Sequence, residues 1–525
     1  MNTSHECYTE GFRVNDKIRK KLAQSKRRIE RRLDKNNNTG CQQPMITASN
    51  IHYEIADRTR AIASGGIGMI HRVARKLGLV EAIDGHLHLL KDHLPYHESD
   101  HVLNIAYNLL AGGACLEHLE LRRQDEVYLD SLGARRIPDP TTAGDFCRRF
   151  AAHDIQTLQE VFNETRLKVW RQQPDAFFDE AVLEADGTMV ETTGECKQGM
   201  EVNHKGQWGY HPLMVSLANT GEPLYLVNRS GNRPSHEGAA EYFDKSIALC
   251  RRAGFRKIKL RGDTDFTQTA HLDDWDDQAD VRFVFGINAM PNLYEIAENL
   301  PKQAWKRLCR RAKYEVQTTP RARPANVKEQ VVREREFKNI RLVKEYVAEF
   351  KYSPTLCQKT YRVVVVWKDL EVTQGQRKLF DDSRCFFYIT NDWEAPADEI
   401  VFDANGRCNQ ENLVQQQKSG VRSLTAPVDN LASNWAYMVM AGLAWSLKSW
   451  AAMLLSETGR WKENRSAEKR TLLRMDFVTF RNAILQMPAQ IVRGGRRIVY
   501  RLLSWNPWQP VFFRLLDQLR LPLRC

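Results

Sequence analysis

The chain has 525 residues, of which 27% are charged and 42% hydrophobic, and Lys plus Arg outnumber Asp plus Glu by 77 to 65, a formal charge of +12. That length exceeds one compact core and suits roughly three or four units, while the basic balance favours a polyanionic partner such as nucleic acid. Eleven cysteines without a CxxC pair argue against a zinc ribbon or a disulfide framework, and the polar start lacks the apolar stretch of a secretory signal, so a cytoplasmic location is expected.

Residues 1–50 hold the run KIRKKLAQSKRRIERRLDK and read as a basic flexible arm, serving as a solvated segment or as a contact to DNA phosphates. Residues 51–175 read as a helical, DNA-binding domain. Ile70, Val73, Leu77 and Val80 recur at helical spacing, and Ser99-Asp100 open a second helix. In IPDPTTAGDFCRRF, Thr141 or Thr142 is the expected cap of a helix with Asp145 in its first turn, and Arg148 and Arg149 are candidates for a helix-turn-helix-like contact. His86, His88, His93, His97 and His101 crowd one segment. Pro95 and the Ser99-Asp100 cap break any single helix that would align them, so they read as loop and surface histidines.

Residues 176–287 give the strongest fold signal. AVLEADGTMVET, GYHPLMVSLA and EPLYLVNRSG read as three strands. SHEGAAEYFDKSIALCRRAG reads as a helix capped by Ser235 and stopped by Gly254, and KIKLRGD as a strand with Asp263 at its end. Three strands, a helix and a fourth strand, with acids on the first and fourth, is the order of a ribonuclease-H-like α/β core. The expected fold is therefore α/β, a ribonuclease-H-like catalytic core with a mostly β insertion, flanked by helical N-terminal and C-terminal regions.

Residues 288–396 form that insertion, with YRVVVVWKDL and RCFFYITND as strands and the last one, near Phe386 to Thr390, placed to return to the core sheet. Trp367 within it either packs into the core or holds an unstacked base. Residues 397–457 read as the second part of the core. Here Arg407, Glu411 and Lys418 stand at i, i+4 and i+11, within about 40° of one another on an α-helix, so they share a face, as catalytic groups or as a solvated stripe. Leu431 to Leu447 lacks charge but carries Ser433 and Asn434, which suits a buried helix and no membrane span. Residues 458–525, with GGRRIVYR followed by Trp505, Trp508, Phe512 and Phe513, read as a basic helical region.

Asp186, Asp263 and Glu411 are three acids that a strand end or a helix face could aim at one point, the donor set for paired Mg²⁺ ions beside a phosphodiester. Asp265 competes with Asp263, and Glu184 shares the strand face of Asp186.

DGTMVETTG, RGDTDF and RCNQENLVQQQK, together with LPYHESDHVLNIAYNLLAGG and IPDPTTAGDFCRRF, resemble bacterial insertion-sequence transposases of the DDE type. The resemblance is closest to the insertion-sequence-1380 group of the insertion-sequence-4-like class. It implies Asp186, Asp263 and Glu411 as catalytic residues and metal ligands, Mg²⁺ as cofactor with Mn²⁺ able to substitute, and Arg407 and Lys418 as DNA contacts. Ala404 stands where that pattern carries a Tyr. The implied activity is cutting double-stranded DNA at the terminal inverted repeats of the element and joining the ends to target DNA, as a homodimer on paired ends. A nuclease without strand transfer and a catalytically silent DNA-binding relic are the alternatives.

Overall fold

The structure is a computed structural model that describes residues 16–33, 51–53, 59–91, 95–310, 326–374, 377–494 and 497–524. Of the basic arm, the described part, Asp16–Leu33, is an α-helix. His93 lies outside the described residues.

A nine-stranded mixed sheet organises the chain. Its centre is β1 (Ala181–Gly187), β2 (Leu213–Leu217), β3 (Glu222–Val227), β4 (Ile258–Gly262) and β5 (Val281–Ile287). β2 pairs antiparallel with β1 and with β3, whereas β4 runs parallel to both β1 and β5, giving the order β3-β2-β1-β4-β5. Every residue of β2 is buried, as expected for a central strand covered on both faces.

The insertion extends this sheet. β6 (Lys338–Tyr352), β7 (Tyr361–Gln374) and β8 (Arg377–Thr390) pair antiparallel in sequence, and Phe387 to Thr390 of β8 pair with Ile287 to Val284 of β5. Trp367 packs edge-on against Trp305 at 5.8 Å between ring centroids, and its indole N–H donates to Asp369 at 3.1 Å. It does not project from the insertion.

Several helix starts differ from the sequence reading. The helix Pro140–Arg148 is capped by Asp139, whose carboxylate accepts from the Thr142 N–H at 2.9 Å, with Pro140 in the first turn where no N–H is needed. α1 (Glu98–Leu110) begins one residue before Ser99, with Asp100 accepting from the His97 N–H at 2.9 Å. α2 (Ala152–Trp170) follows, and α3 (Ala239–Ala253) begins after Gly238, not at Ser235. The reason is Arg229, whose guanidinium donates to the Pro234, Ser235 and Glu237 carbonyls and holds those residues in turns. Gly254 does end α3, at φ 98°. His101 is not a surface histidine: it stacks on Phe146 at 4.2 Å, and burial lowers its pKa to about 4.

Beyond the insertion come α4 (Ala397–Asn405), α5 (Cys408–Gln415) and α6 (Leu431–Met453). α6 is capped by Asn430, whose side chain accepts from the Ser433 N–H at 2.8 Å. From Ser433 to Met453 every residue except Gly442 is buried, between the N-terminal helices and the sheet. No helix among the described residues is long and apolar enough to cross a membrane.

One buried cluster ties these layers. Glu222 at the start of β3 accepts from Arg166 of α2 at 3.1 Å, from the Trp170 indole at 3.1 Å and from the Trp450 indole of α6 at 2.9 Å. A buried carboxylate is tolerated here because each oxygen has a donor.

Residues 458–525, expected to be helical, also contain a hairpin of Ala489–Gly494 and Arg497–Leu502. Its β-branched pairs beside a glycine pair suit strands better than a helix. Ala61–Ile62 adds a third strand, and the Gly65 and Gly66 N–H groups each donate at 3.0 Å, to the Met487 and Leu485 carbonyls. Residues 61–66 and the segment 485–502 are thus built into each other.

Candidate active site

Strand register places the two aspartates. Parallel pairing sets Glu184 of β1 opposite Arg261 of β4, and two residues further along each strand stand Asp186 and Asp263. They emerge side by side at the C-terminal ends of adjacent parallel strands, the edge where open α/β sheets hold ligands. Asp263 directly follows β4 and caps the turn Thr264–Phe266, its carboxylate accepting from the Asp265 N–H at 3.0 Å.

The third acid arrives from above. α5 lies over β1 and is pinned through Gln410, which accepts from the Ser216 hydroxyl and donates to the Met214 carbonyl at 3.3 Å. Arg407 is the N-cap of α5, and its Nη1 stands 3.4 Å from an Asp263 oxygen and 3.5 Å from an Oε of the exposed Glu411. Arg407 therefore bridges the second and third acids.

The expectation that Arg407, Glu411 and Lys418 share one α-helical face needs correction. Residues Gln416–Gly420 form a π-turn, so the run from Arg407 to Lys418 is not one continuous α-helix and the angle per residue changes before Lys418. The Lys418 ammonium is attracted by Glu191 and Asp186, and burial lowers its pKa.

The electrostatics follow from this crowding. Burial, and then the charge of Asp263, push the pKa of Asp186 up to about 7 against the pull of Arg407. Asp263 is raised too, chiefly by burial, with the Asp265 N–H and Arg407 opposing. Asp265 is exposed and faces a cleft of about 600 Å³ lined by Gly187, His204, Lys205, His211 and Arg233. Asp263, not Asp265, is the acid beside Arg407.

Glu184 does not reach this group. It is buried against Arg261, whose Nε lies at 2.7 Å, and Arg261 in turn donates to both the carbonyl and carboxylate of Asp403 at 2.9 Å. This network locks β1, β4 and α4 together, and Gly406 makes room for it: a Cβ there would lie 2.4 Å from Arg261 Nη1. Ala404 is buried in the apolar cluster under α4, with Val284, Val364 and Val401. Gln410 and Arg261 escaped the sequence reading. The only signal for Arg261 was a cation in an apolar strand two residues before Asp263.

Carboxylates have the donor chemistry for Mg²⁺, and two aspartates of raised pKa side by side make a place where a cation is electrostatically favoured. Among the described residues no three His, Cys, Asp or Glu side chains are gathered as a metal-binding group, and the Arg407 guanidinium occupies the space between Asp263 and Glu411. Arg148 is engaged internally, with Nε at 3.1 Å from Asp429 and Nη1 at 2.7 Å from Asp145, and Arg149 donates to the Leu89 carbonyl at 3.4 Å.

A solved piggyBac transposase synaptic complex with hairpin DNA is similar to this chain at a TM-score of 0.35 and 10% sequence identity, covering 81% of this chain and 82% of that one. Among curated proteins none matches. The family model described as transposase DDE domain group 1 matches residues 47–523, a span that takes in both aspartate strands, the insertion and the helices above them, so the chain belongs to the DDE transposase family.

Proposed function

We propose that the protein is a cut-and-paste DNA transposase that cleaves at the inverted-repeat ends of its element and joins them to target DNA. The observation that carries this reading is the placement of Asp186 and Asp263 at adjacent parallel strand ends, with Arg407 and Glu411 held over them by α5. The strand order β3-β2-β1-β4-β5, with the first three antiparallel and the last two parallel to the first, supports a ribonuclease-H-like core.

Asp186, Asp263 and Glu411 are the hard oxygen donors that would hold Mg²⁺, or Mn²⁺ in its place, and a bound divalent ion supplies charge and Lewis acidity at the scissile phosphate. The chain's own cations do the rest. Arg407 has a planar fork suited to phosphate oxygens, and its pairing with two carboxylates keeps it at the site until DNA arrives. Lys418, half-buried beside Asp186, adds a second positive charge on the approach to the first acid. The terminal inverted repeats and target DNA are the partners, and a homodimer would hold two ends together.

Incubating the protein and Mg²⁺ with labelled DNA carrying the element's ends tests this reading. Wild type should yield both cleaved ends and strand-transfer products. Asp186→Ala, Asp263→Ala and Glu411→Ala should each bind the ends yet leave cleavage at background. Robust cleavage by any of the three would remove that residue from the catalytic set, and cleavage without joined products would reduce the activity to that of a nuclease.

A further inference from the structure

Three arginines from distant parts of the chain converge away from the acids. Arg122 lies in the last turn of the helix Leu119–Arg123, Arg422 follows the π-turn after α5, and Arg481 opens a second π-turn, Arg481–Leu485. Arg122 and Gln486 donate to the same carbonyl, that of Ala111, at 3.0 and 3.2 Å, which joins the first segment to the third. Gln416 donates to the Asp476 carboxylate at 3.0 Å and accepts from the Phe477 N–H at 3.0 Å, which joins the second to the third.

Among the described residues none of these three guanidiniums has a carboxylate partner. The Nε of Arg122 is buried without any hydrogen-bond acceptor. Burial, Arg422 and Arg122 all lower the pKa of Arg481, and the Arg122 guanidinium lies 5.9 Å from the Tyr128 ring centroid. Arg422 is exposed and adopts φ 63°, one of only two non-glycine residues with positive φ among those described. That conformation is strained for a side chain with a Cβ. Like charges, an orphaned donor and a strained backbone at one place all lower stability, and an anion relieves the first.

We propose that Arg122, Arg422 and Arg481 form a phosphate-binding site for the DNA backbone, separate from the acids. The inference rests on the DNA transposase reading and extends it. Arg422 lies four residues beyond Lys418 in the chain, just past the π-turn. The site thus adds a second grip on the DNA backbone to the one proposed for Arg407 and Lys418. The contact is to backbone and not to bases, so it adds affinity for any sequence.

The test is fluorescence anisotropy of the full chain with a fluorescein-labelled, mixed-sequence DNA duplex over a series of salt concentrations. For wild type, log K falls linearly with log salt. Arg422→Gly and Arg481→Gln should each flatten that slope by about 1 and weaken binding several-fold at fixed salt. Arg422→Lys should retain most of the wild-type slope. Arg422→Gly also relieves the positive φ, so its thermal midpoint should match or exceed wild type, which separates lost binding from lost fold. Arg256→Gln, which removes a surface arginine paired with Asp175 and Asp179, should leave the slope unchanged. Wild-type slopes in both Arg422→Gly and Arg481→Gln would overturn the site, as would an equal loss in Arg256→Gln. DNA binding by wild type with those unchanged slopes sinks this inference alone, whereas absence of DNA binding by wild type sinks the transposase reading with it.

Discussion

Asp186 and Lys448 are driven toward neutrality by the same physics, the cost of stripping water from a charge, which raises one pKa and lowers the other. At Asp186 the cost serves a cleft that accepts cations and DNA under the proposed mechanism. At Lys448, inside α6, it serves no site described above. The ammonium donates to the Leu473 carbonyl at 2.8 Å and lies 3.9 Å from the Trp445 ring centroid, and burial lowers its pKa to about 7 against the pull of Asp476 and Glu222. The unfolded chain holds this proton up to about pH 10.4, the folded chain only to about pH 7. Between those values the unfolded state binds more protons, so stability rises with pH, and the penalty is complete below about 7. Lys448→Met should therefore stabilise the protein at pH 6 to 7, with a gain that shrinks toward pH 10. Paired denaturant titrations of wild type and variant measure the difference, and a gain independent of pH would show that Lys448 is not the titrating group.

At the scale of elements, the site depends on side chains that never touch a phosphate. Gln410 sets α5 on β1 and β2, the Glu184–Arg261–Asp403 network sets α4 on β1 and β4, and Glu222 sets α2 and α6 on β3. The last is the most sensitive because Arg166 is 2% exposed and has nowhere to turn. Glu222→Ala should cost about 3–5 kcal/mol in unfolding free energy, since it strands a buried guanidinium. Glu222→Gln, which keeps one acceptor, should cost less. A loss below about 1 kcal/mol for Glu222→Ala would mean that water or another acceptor takes over. The π-turn at Gln416–Gly420 belongs to this scale as well, because it interrupts the α-helical register between Glu411 and Lys418.

Across the whole molecule, the ends close on each other. Elements within residues 51–175 pack directly on later parts of the chain: Ala61–Ile62 completes a sheet with the hairpin Ala489–Leu502, and α6 is buried against α1 and α2. Gly66 is the tightest point, where a Cβ would lie 2.1 Å from the Ile484 carbonyl oxygen and 2.6 Å from the Leu485 Cα. Backbone atoms cannot yield as a flexible side chain can. Gly66→Ala should destabilise by about 1–3 kcal/mol and lower the thermal midpoint by several degrees. An unchanged calorimetric transition would show that this closure is not part of the cooperative unit.

The sequence by itself determined the elements that local physics dictates. Short apolar runs bounded by turn residues marked β1 to β4, Gly254 marked the end of α3, and uncharged α6 with its internal Ser and Asn marked a buried helix. It offered Asp186, Asp263, Glu411, Arg407 and Lys418 as candidates, and the structure brings Asp263 and Glu411 to Arg407 and sets Asp186 near Asp263. What only the tertiary structure decided depends on contacts between residues far apart in the chain. Asp139 rather than Thr141 or Thr142 caps its helix, and Arg229 rather than a local cap sets the start of α3. Asp263 rather than Asp265 stands beside Arg407, because strand register and the Thr264–Phe266 turn point the two carboxylates apart. The Arg122–Arg422–Arg481 cluster was illegible for the same reason. No periodicity relates residues some three hundred and sixty apart, and only packing brings their charges to one place.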